Sequence, residues 1–227
     1  MIGFRAHREA PIHRTDNPLV ALQLRPRGAE IAKRSVDIVL SAVGLVVLSP
    51  ILLILALAVK LTSRGPMLFV HKRCGLGGRQ FRFFKFRTMV QDAEAKKRAL
   101  EHLNEMKGPA FKMRHDPRIT RLGRVLRKTS LDELPQLWNV LRGDMSLVGP
   151  RPPTPDEVAR YTPRQLQRLS VIPGITGLWQ VSGRNDIEDF DRWVDLDLTY
   201  VKSWSMWLDL RILLKTIVVV LQVRGAR

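Results

Sequence analysis

Residues 38–59 read IVLSAVGLVVLSPILLILALAV, 22 positions without a formal charge. As one helix, this run is long enough to cross roughly 30 Å of hydrocarbon. Ser49-Pro50 falls near its middle, where proline withholds a backbone donor and its ring collides with the carbonyl four residues earlier, so a bend is expected. Both flanks are basic, with Lys33 and Arg34 before the run and Lys60 and Arg64 after it. Positive flanks favour the cytoplasmic side. A helix that dips into one leaflet, turns at Ser49-Pro50 and returns satisfies both flanks, whereas a straight span satisfies one. An ordinary anchor with a tolerated proline is the competing reading. A secretory signal fits poorly, because the run begins far from Met1 and no small-residue cleavage site follows it.

Composition narrows the partners. The chain has 227 residues and 38 Lys+Arg against 21 Asp+Glu, for a net charge of +17 and a pI near 11.1. Such a surface attracts polyanions: nucleic acid, anionic lipid headgroups or phosphorylated substrates. Nucleic acid is disfavoured, because the cations are spread along the chain around an apolar segment and no recognised binding motif is present. One cysteine, Cys74, excludes an intramolecular disulfide framework and a multi-cysteine zinc site. Residues 1–34 carry seven Lys/Arg and three Asp/Glu, interrupted by Pro11, Pro18 and Pro26. They read either as a basic arm on anionic lipid, attracted by about 1 kcal/mol per well-placed cation, or as a tail without a role.

Downstream, residues 67–87 (MLFVHKRCGLGGRQFRFFKFR) hold two β-favouring runs around Gly75, Gly77 and Gly78, the pattern of a hairpin. Period two places Phe81, Phe83, Lys85 and Arg87 on one face, where Lys85 and Arg87 would converge on one anion. Residues 91–107 are rich in helix formers and charged around most of their circumference, which predicts a solvated helix. HDPRIT at 115–120 has turn chemistry. RLGRVLRK at 121–128 reads as a short cationic helix or extended piece, either a solvated surface or a phosphate-facing wall.

TSLDELPQL at 129–137 then sets Asp132 and Glu133 side by side at the end of that basic run. Ser130 and Glu133 have the S-x-x-E spacing of a capping box, so the pair reads as a helix cap or as a reaction centre. In either case Asp132 lies at a helix beginning, where nearby arginines and the helix dipole keep a carboxylate ionised. Pro150, Pro152 and Pro153 stiffen the chain on both sides of Arg151, which suits a side chain held in place. VIPGITGLWQVSGR at 171–184 is a glycine-rich loop ending in Arg184, either ordinary loop chemistry or a place where a ligand approaches the backbone closely. In the C-terminal part, Trp193, Trp204, Trp207 and Tyr200 alternate with apolar residues. That pattern predicts one or two amphipathic helices in a membrane interface, or helices packed on the domain's own core.

Taken together, KFRTM (85–89), DPRIT (116–120), LRKTSLDELPQLWNVLRGDMSLVGPRP (126–152) and PGITGLWQVSGR (173–184) resemble the bacterial sugar transferase family, the monotopic polyprenyl-phosphate phosphoglycosyl transferases. The resemblance covers roughly residues 31–223 and favours the reaction centre over the cap. It implies a predominantly helical α+β monotopic protein with a basic arm (1–30), a re-entrant membrane helix broken at Ser49 and Pro50 (31–64), and a catalytic domain with a β-hairpin and interfacial helices (65–223). Its implied place is the cytoplasmic face of the bacterial inner membrane. Its implied reaction is magnesium-dependent transfer of a sugar-1-phosphate from a UDP-sugar to polyprenyl phosphate, with release of UMP. The family's catalytic and metal-binding dyad falls on Asp132 and Glu133, its phosphate-binding residues on Lys85, Arg87, Arg127 and Arg151, and the nucleotide-sugar loop on Gly174, Gly177 and Arg184. Asp132 is the expected nucleophile, through a covalent aspartyl-phosphosugar. A homo-oligomer is compatible with this reading, and a non-enzymatic basic adaptor on the membrane surface is the alternative.

Overall fold

The computed structural model describes residues 26–183 and 187–222; the basic arm up to residue 25 and Arg184 therefore lie outside the described residues. Two helices, α1 (Arg27–Val47) and α2 (Ser49–Thr62), meet at a 63° bend. Pro50 stands in the first turn of α2, where its missing N–H has no helical partner to lose. Ser49 Oγ donates to the Val46 carbonyl at 2.8 Å, satisfying one of the last acceptors of α1. Among the described residues no single helix is long and apolar enough to cross a membrane, but the bent pair together has that length and composition. Val46, Val47, Leu53 and Ile54 are exposed around the bend, and Leu57 and Leu61 are exposed farther along α2.

The first half of α1 is not free to meet lipid. Lys33 Nζ lies 2.5 Å from Asp209 Oδ2 and 3.2 Å from the Val148 carbonyl. Arg34 donates to the carbonyls of Val140 and Leu141 at 2.6 and 2.8 Å, and Asp37 Oδ1 accepts the Leu147 N–H at 3.0 Å. Lys33 and Arg34, the basic residues before the apolar run, fasten α1 to the domain.

Strands β1 (Leu68–Cys74) and β2 (Gln80–Phe86) form the expected antiparallel hairpin, with Leu68 opposite Phe86 and Cys74 opposite Gln80. Helix α3 (Ala93–Leu100) follows and gives way to one 3₁₀ turn, Glu101–Leu103, well before the predicted end at 107. Asn104 stops it. Its side-chain oxygen accepts from the Met106 and Lys112 N–H groups while its amide donates to the carbonyls of Met106 and Ala110, so the backbone is held in a loop.

Helices α4 (Arg121–Lys128) and α5 (Gln136–Arg142) lead to β3 (Ser146–Val148), the short capped helices α6 (Pro155–Val158) and α7 (Pro163–Leu166), and β4 (Gly174–Thr176). Strands β3 and β4 pair in parallel, Ser146 with Gly174 and Val148 with Thr176. The chain closes with α8 (Phe190–Ser203) and α9 (Met206–Leu221).

Helix α8 departs from the interfacial reading. Phe190, Trp193, Val194, Leu198 and Tyr200 are buried, and Trp193 stacks on Trp179 with ring centroids 3.9 Å apart. Its aromatic residues fill the core instead of a lipid interface. Helix α9 retains the predicted exposed apolar face, with Trp207, Leu214 and Leu221 uncovered.

Candidate active site

The site begins with a close approach of two backbones. Thr120 caps α4 by accepting the Gly123 N–H at 2.9 Å. A Cβ on Gly123 would lie 2.1 Å from the Thr88 carbonyl oxygen, so α4 reaches the chain after β2 only because residue 123 has no side chain. That approach lets Arg127 Nε donate to Thr88 Oγ1 at 2.9 Å. Arg127 is thereby fixed toward Lys85.

Beyond α4, Ser130 adopts a left-handed conformation, φ 57°, the only non-glycine positive φ among the described residues. For an L-residue this costs about 1–2 kcal/mol, and it turns the chain into the 3₁₀ turn Leu131–Glu133. Ser130 makes no side-chain cap, so the capping box suggested by the S-x-x-E spacing does not form. Glu133 is drawn elsewhere. Its Oε1 accepts from Arg151 Nη1 at 3.1 Å, while Asp132 beside it is only 5% exposed.

Arg151 is presented by an unusually constrained loop. The Pro150 carbonyl accepts from Gly174 N (2.9 Å), Arg151 from Arg168 Nη2 (3.4 Å), Pro152 from Arg73 Nη1 (3.1 Å) and Pro153 from Cys74 N (2.9 Å). Four consecutive carbonyls are thus tied, and three prolines fix φ around them. Arg168 is itself held by a buried pair with Asp197 at 2.7 Å and by the rings of Tyr161, Phe190 and Trp193. Burial pushes Asp197 up, opposed by the Arg168 charge.

Electrostatics define what the cluster wants. Lys85 is lowered to about 7, first by desolvation and then by the charge of Arg127, with Asp132 opposing. Arg127 is lowered by burial, again with Asp132 opposing. Arg73 is lowered to about 10 by burial and by Arg151. Four cations therefore crowd round two carboxylates, an arrangement completed by an incoming anion of two or more charges.

The predicted residues divide clearly. Asp132, Glu133, Lys85, Arg127 and Arg151 come together. Arg87 does not: its Nη2 donates to the carbonyl and hydroxyl of Ser63 at 2.7 and 2.8 Å, closing the end of α2. Lys85 and Arg87 thus do not share one anion, because the ladder ends at Phe86 and the chain leaves the pleat. Gly174 and Gly177 serve backbone packing within the protein. Added Cβ atoms there would fall 2.0 Å from Gly149 N and 2.4 Å from Gly149 O. Arg73 was missed. Pairing puts it opposite Phe81 and puts Phe69 opposite Lys85, so alternation along β1 already places Arg73 on the Lys85 face. A separate groove of about 490 Å³, lined by Arg164, Gln167, Asp195, Leu198, Thr199 and Lys202, contains none of these groups.

Residues 28–223 match the family model described as bacterial sugar transferase. The chain belongs to that family. It is 51% identical over 197 residues to a galactosyl transferase of Streptococcus agalactiae serotype III, covering 87% of this chain and 44% of that protein. To the undecaprenyl-phosphate galactose phosphotransferase of Salmonella typhimurium it is 46% identical, covering 89% of this chain and 43% of the relative. The exopolysaccharide production protein ExoY of Rhizobium meliloti is 42% identical, with 89% of this chain and 91% of that protein covered. The chain thus spans less than half the length of the first two relatives. In this bacterial sugar transferase a loop with four tied carbonyls presents Arg151 to Glu133.

Proposed function

We propose that this chain transfers a sugar-1-phosphate from a UDP-sugar to polyprenyl phosphate and releases UMP, the first step in building a lipid-linked glycan such as an exopolysaccharide, capsule or O-antigen. The observation that carries the reading is the dyad itself: Asp132 is buried among Lys85, Arg127 and Arg151, and Glu133 is held by Arg151 instead of capping a helix.

An oxygen of Asp132 attacks the β-phosphorus of the donor. The new bond is acyl O–P, the broken bond is the diphosphate bridge, and UMP leaves with the bridging oxygen. An oxygen of polyprenyl phosphate then attacks the same phosphorus and frees the Asp132 carboxylate, yielding a polyprenyl diphosphate sugar. Lys85, Arg127 and Arg151 neutralise the charge that spreads over the transferring group. Among the described residues no group of three or more His, Cys, Asp or Glu forms a metal cage. The donor set suits magnesium all the same, since that ion takes one or two carboxylates with substrate phosphates and water. Asp132 and Glu133 would hold it, and it would supply further charge neutralisation at the diphosphate. The bent pair α1–α2 and the apolar face of α9 would seat the site at the cytoplasmic headgroup plane of the inner membrane, where a soluble donor and a lipid acceptor meet one nucleophile in turn.

The test is UMP release from a panel of UDP-sugars by solubilised protein with Mg²⁺ and polyprenyl phosphate, beside Asp132→Asn. Turnover of one donor, lost by at least about a thousandfold in the variant, supports the reading and names the sugar. Exchange of labelled UMP into that donor without acceptor is expected from the covalent step. Wild-type protein that turns over no donor sinks the enzyme and leaves a membrane-surface adaptor.

A further inference from the structure

Helix α4 carries more positive charge than the reaction uses. Arg127 points to Thr88 and the dyad, whereas Arg121, Arg124 and Lys128 are exposed. These three, with exposed Val125, stand at i, i+3, i+4 and i+7 and so form one stripe along the helix. None of the ion pairs among the described residues involves them. Three clustered cations without a carboxylate repel one another, and nothing on their own face offsets that repulsion.

The other face of α4 says where the stripe lies. Leu126 is buried with Val59 and Phe86, and Leu122 packs on the same cluster beside Leu55 and Ala56. Helix α4 therefore rests on the half of α2 nearest the domain, while α2 exposes Ile54, Leu57 and Leu61 to its surroundings. The helix that carries the cationic stripe thus sits against an apolar helix, which sets cations beside exposed apolar surface, the two chemistries met at a boundary of headgroups and acyl chains.

We propose that the outward face of α4, Arg121, Arg124, Val125 and Lys128, is a docking surface for the headgroups of anionic phospholipids. It rests on the membrane placement of α1–α2 given above. The cations bind lipid phosphates and Val125 enters the boundary beneath them. Because Arg127 of the same helix faces the dyad, docking sets the height of the reaction centre above the leaflet.

The experiment is flotation of the full chain with vesicles of phosphatidylcholine alone or mixed with phosphatidylglycerol, at low and high salt. The wild type is expected to partition into anionic vesicles at least about tenfold better than into neutral ones, with the gain screened by salt. Combined Arg121→Gln, Arg124→Gln and Lys128→Gln should lose most of that gain while keeping its partition into neutral vesicles and its melting temperature in detergent. Combined Lys72→Gln, Arg79→Gln and Arg82→Gln removes equal charge from the hairpin and should keep the gain. Lysine at 121 and 124 should also keep it. Equal loss in both glutamine triples, or no loss in the α4 triple, overturns the docking surface. Binding to neutral vesicles without an anionic gain overturns it too, and leaves the membrane placement standing. Failure to bind either vesicle overturns both.

Discussion

At the scale of single residues, Lys85 is the most sensitive reporter of the site. Its ammonium lies 5.3 Å from the Phe69 ring centroid, and desolvation together with Arg127, Arg151 and Arg73 outweighs the attraction of Asp132. Lowering to about 7 means that the folded chain binds fewer protons than the unfolded one between about 7 and the ordinary lysine value of 10.5. Stability from this group therefore rises with pH across that window, and its penalty is fully present below it. In metal-free protein carrying ¹³C-methylated lysines, one resonance, absent in Lys85→Arg, should titrate near neutrality. A Lys85 resonance that titrates with the exposed lysines would refute the desolvated cluster. Five of the site's polar residues were legible from motif and charge. Arg73 and Arg87 were exchanged in importance, since what separates them is where the ladder ends: Arg73 remains in the pleat beside Lys85, while Arg87 has left it for Ser63.

At the scale of elements, the decisive contacts are made by backbone, not side chains. Gly123 lets α4 touch Thr88, and Gly174 lets β4 cross Gly149. Gly123→Ala places a methyl 2.1 Å from a carbonyl oxygen that cannot move without taking Thr88, and hence Arg127, with it. A loss of roughly 2–4 kcal/mol is expected, as for other substitutions that overpack a buried contact. Turnover should fall further than stability, and thermal unfolding beside UMP release at a temperature where the variant stays folded measures both. Activity retained in a folded variant would show that Arg127 does not depend on this contact. The hairpin and the break at Ser49-Pro50 were readable because each has a local cause, glycine or proline, whereas 121–128 was readable as cationic but as either helix or extended chain. Helix α8 was not, because buried and interfacial amphipathic helices share one sequence pattern and only tertiary partners such as Trp179 tell them apart. The early end of α3 depends likewise on four hydrogen bonds of Asn104, which no periodicity reports.

At the scale of the whole molecule, one carboxylate joins α1 and α9 to the domain. Asp209, on α9, is 2.5 Å from Lys33 of α1, 2.8 Å from the Tyr200 hydroxyl of α8 and 3.1 Å from Trp204 Nε1. Lys33 and Tyr200 also lie within 3.2 and 3.0 Å of the Val148 carbonyl of β3, two residues before the loop that presents Arg151. The bent helix pair, the apolar face of α9 and the Arg151 loop therefore share a buried junction. Removing the charge of Asp209 alone leaves Lys33 buried without its counter-ion, which should cost about 3–5 kcal/mol. Asp209→Asn keeps one acceptor oxygen but turns an NH2 toward a donor from which the other carboxylate oxygen accepted, so its loss combines that of the ion pair with that of one hydrogen bond. In a chain of this size the melting temperature should fall by roughly 10 °C. Adding Lys33→Met removes the orphaned cation and should recover most of that loss, since a buried pair replaced by an uncharged one is often close to neutral in stability. Thermal unfolding of the two single variants and the double gives the coupling directly. Additive losses would mean that Lys33 and Asp209 act independently, and that α1 is held to the domain by Arg34 and Asp37 alone.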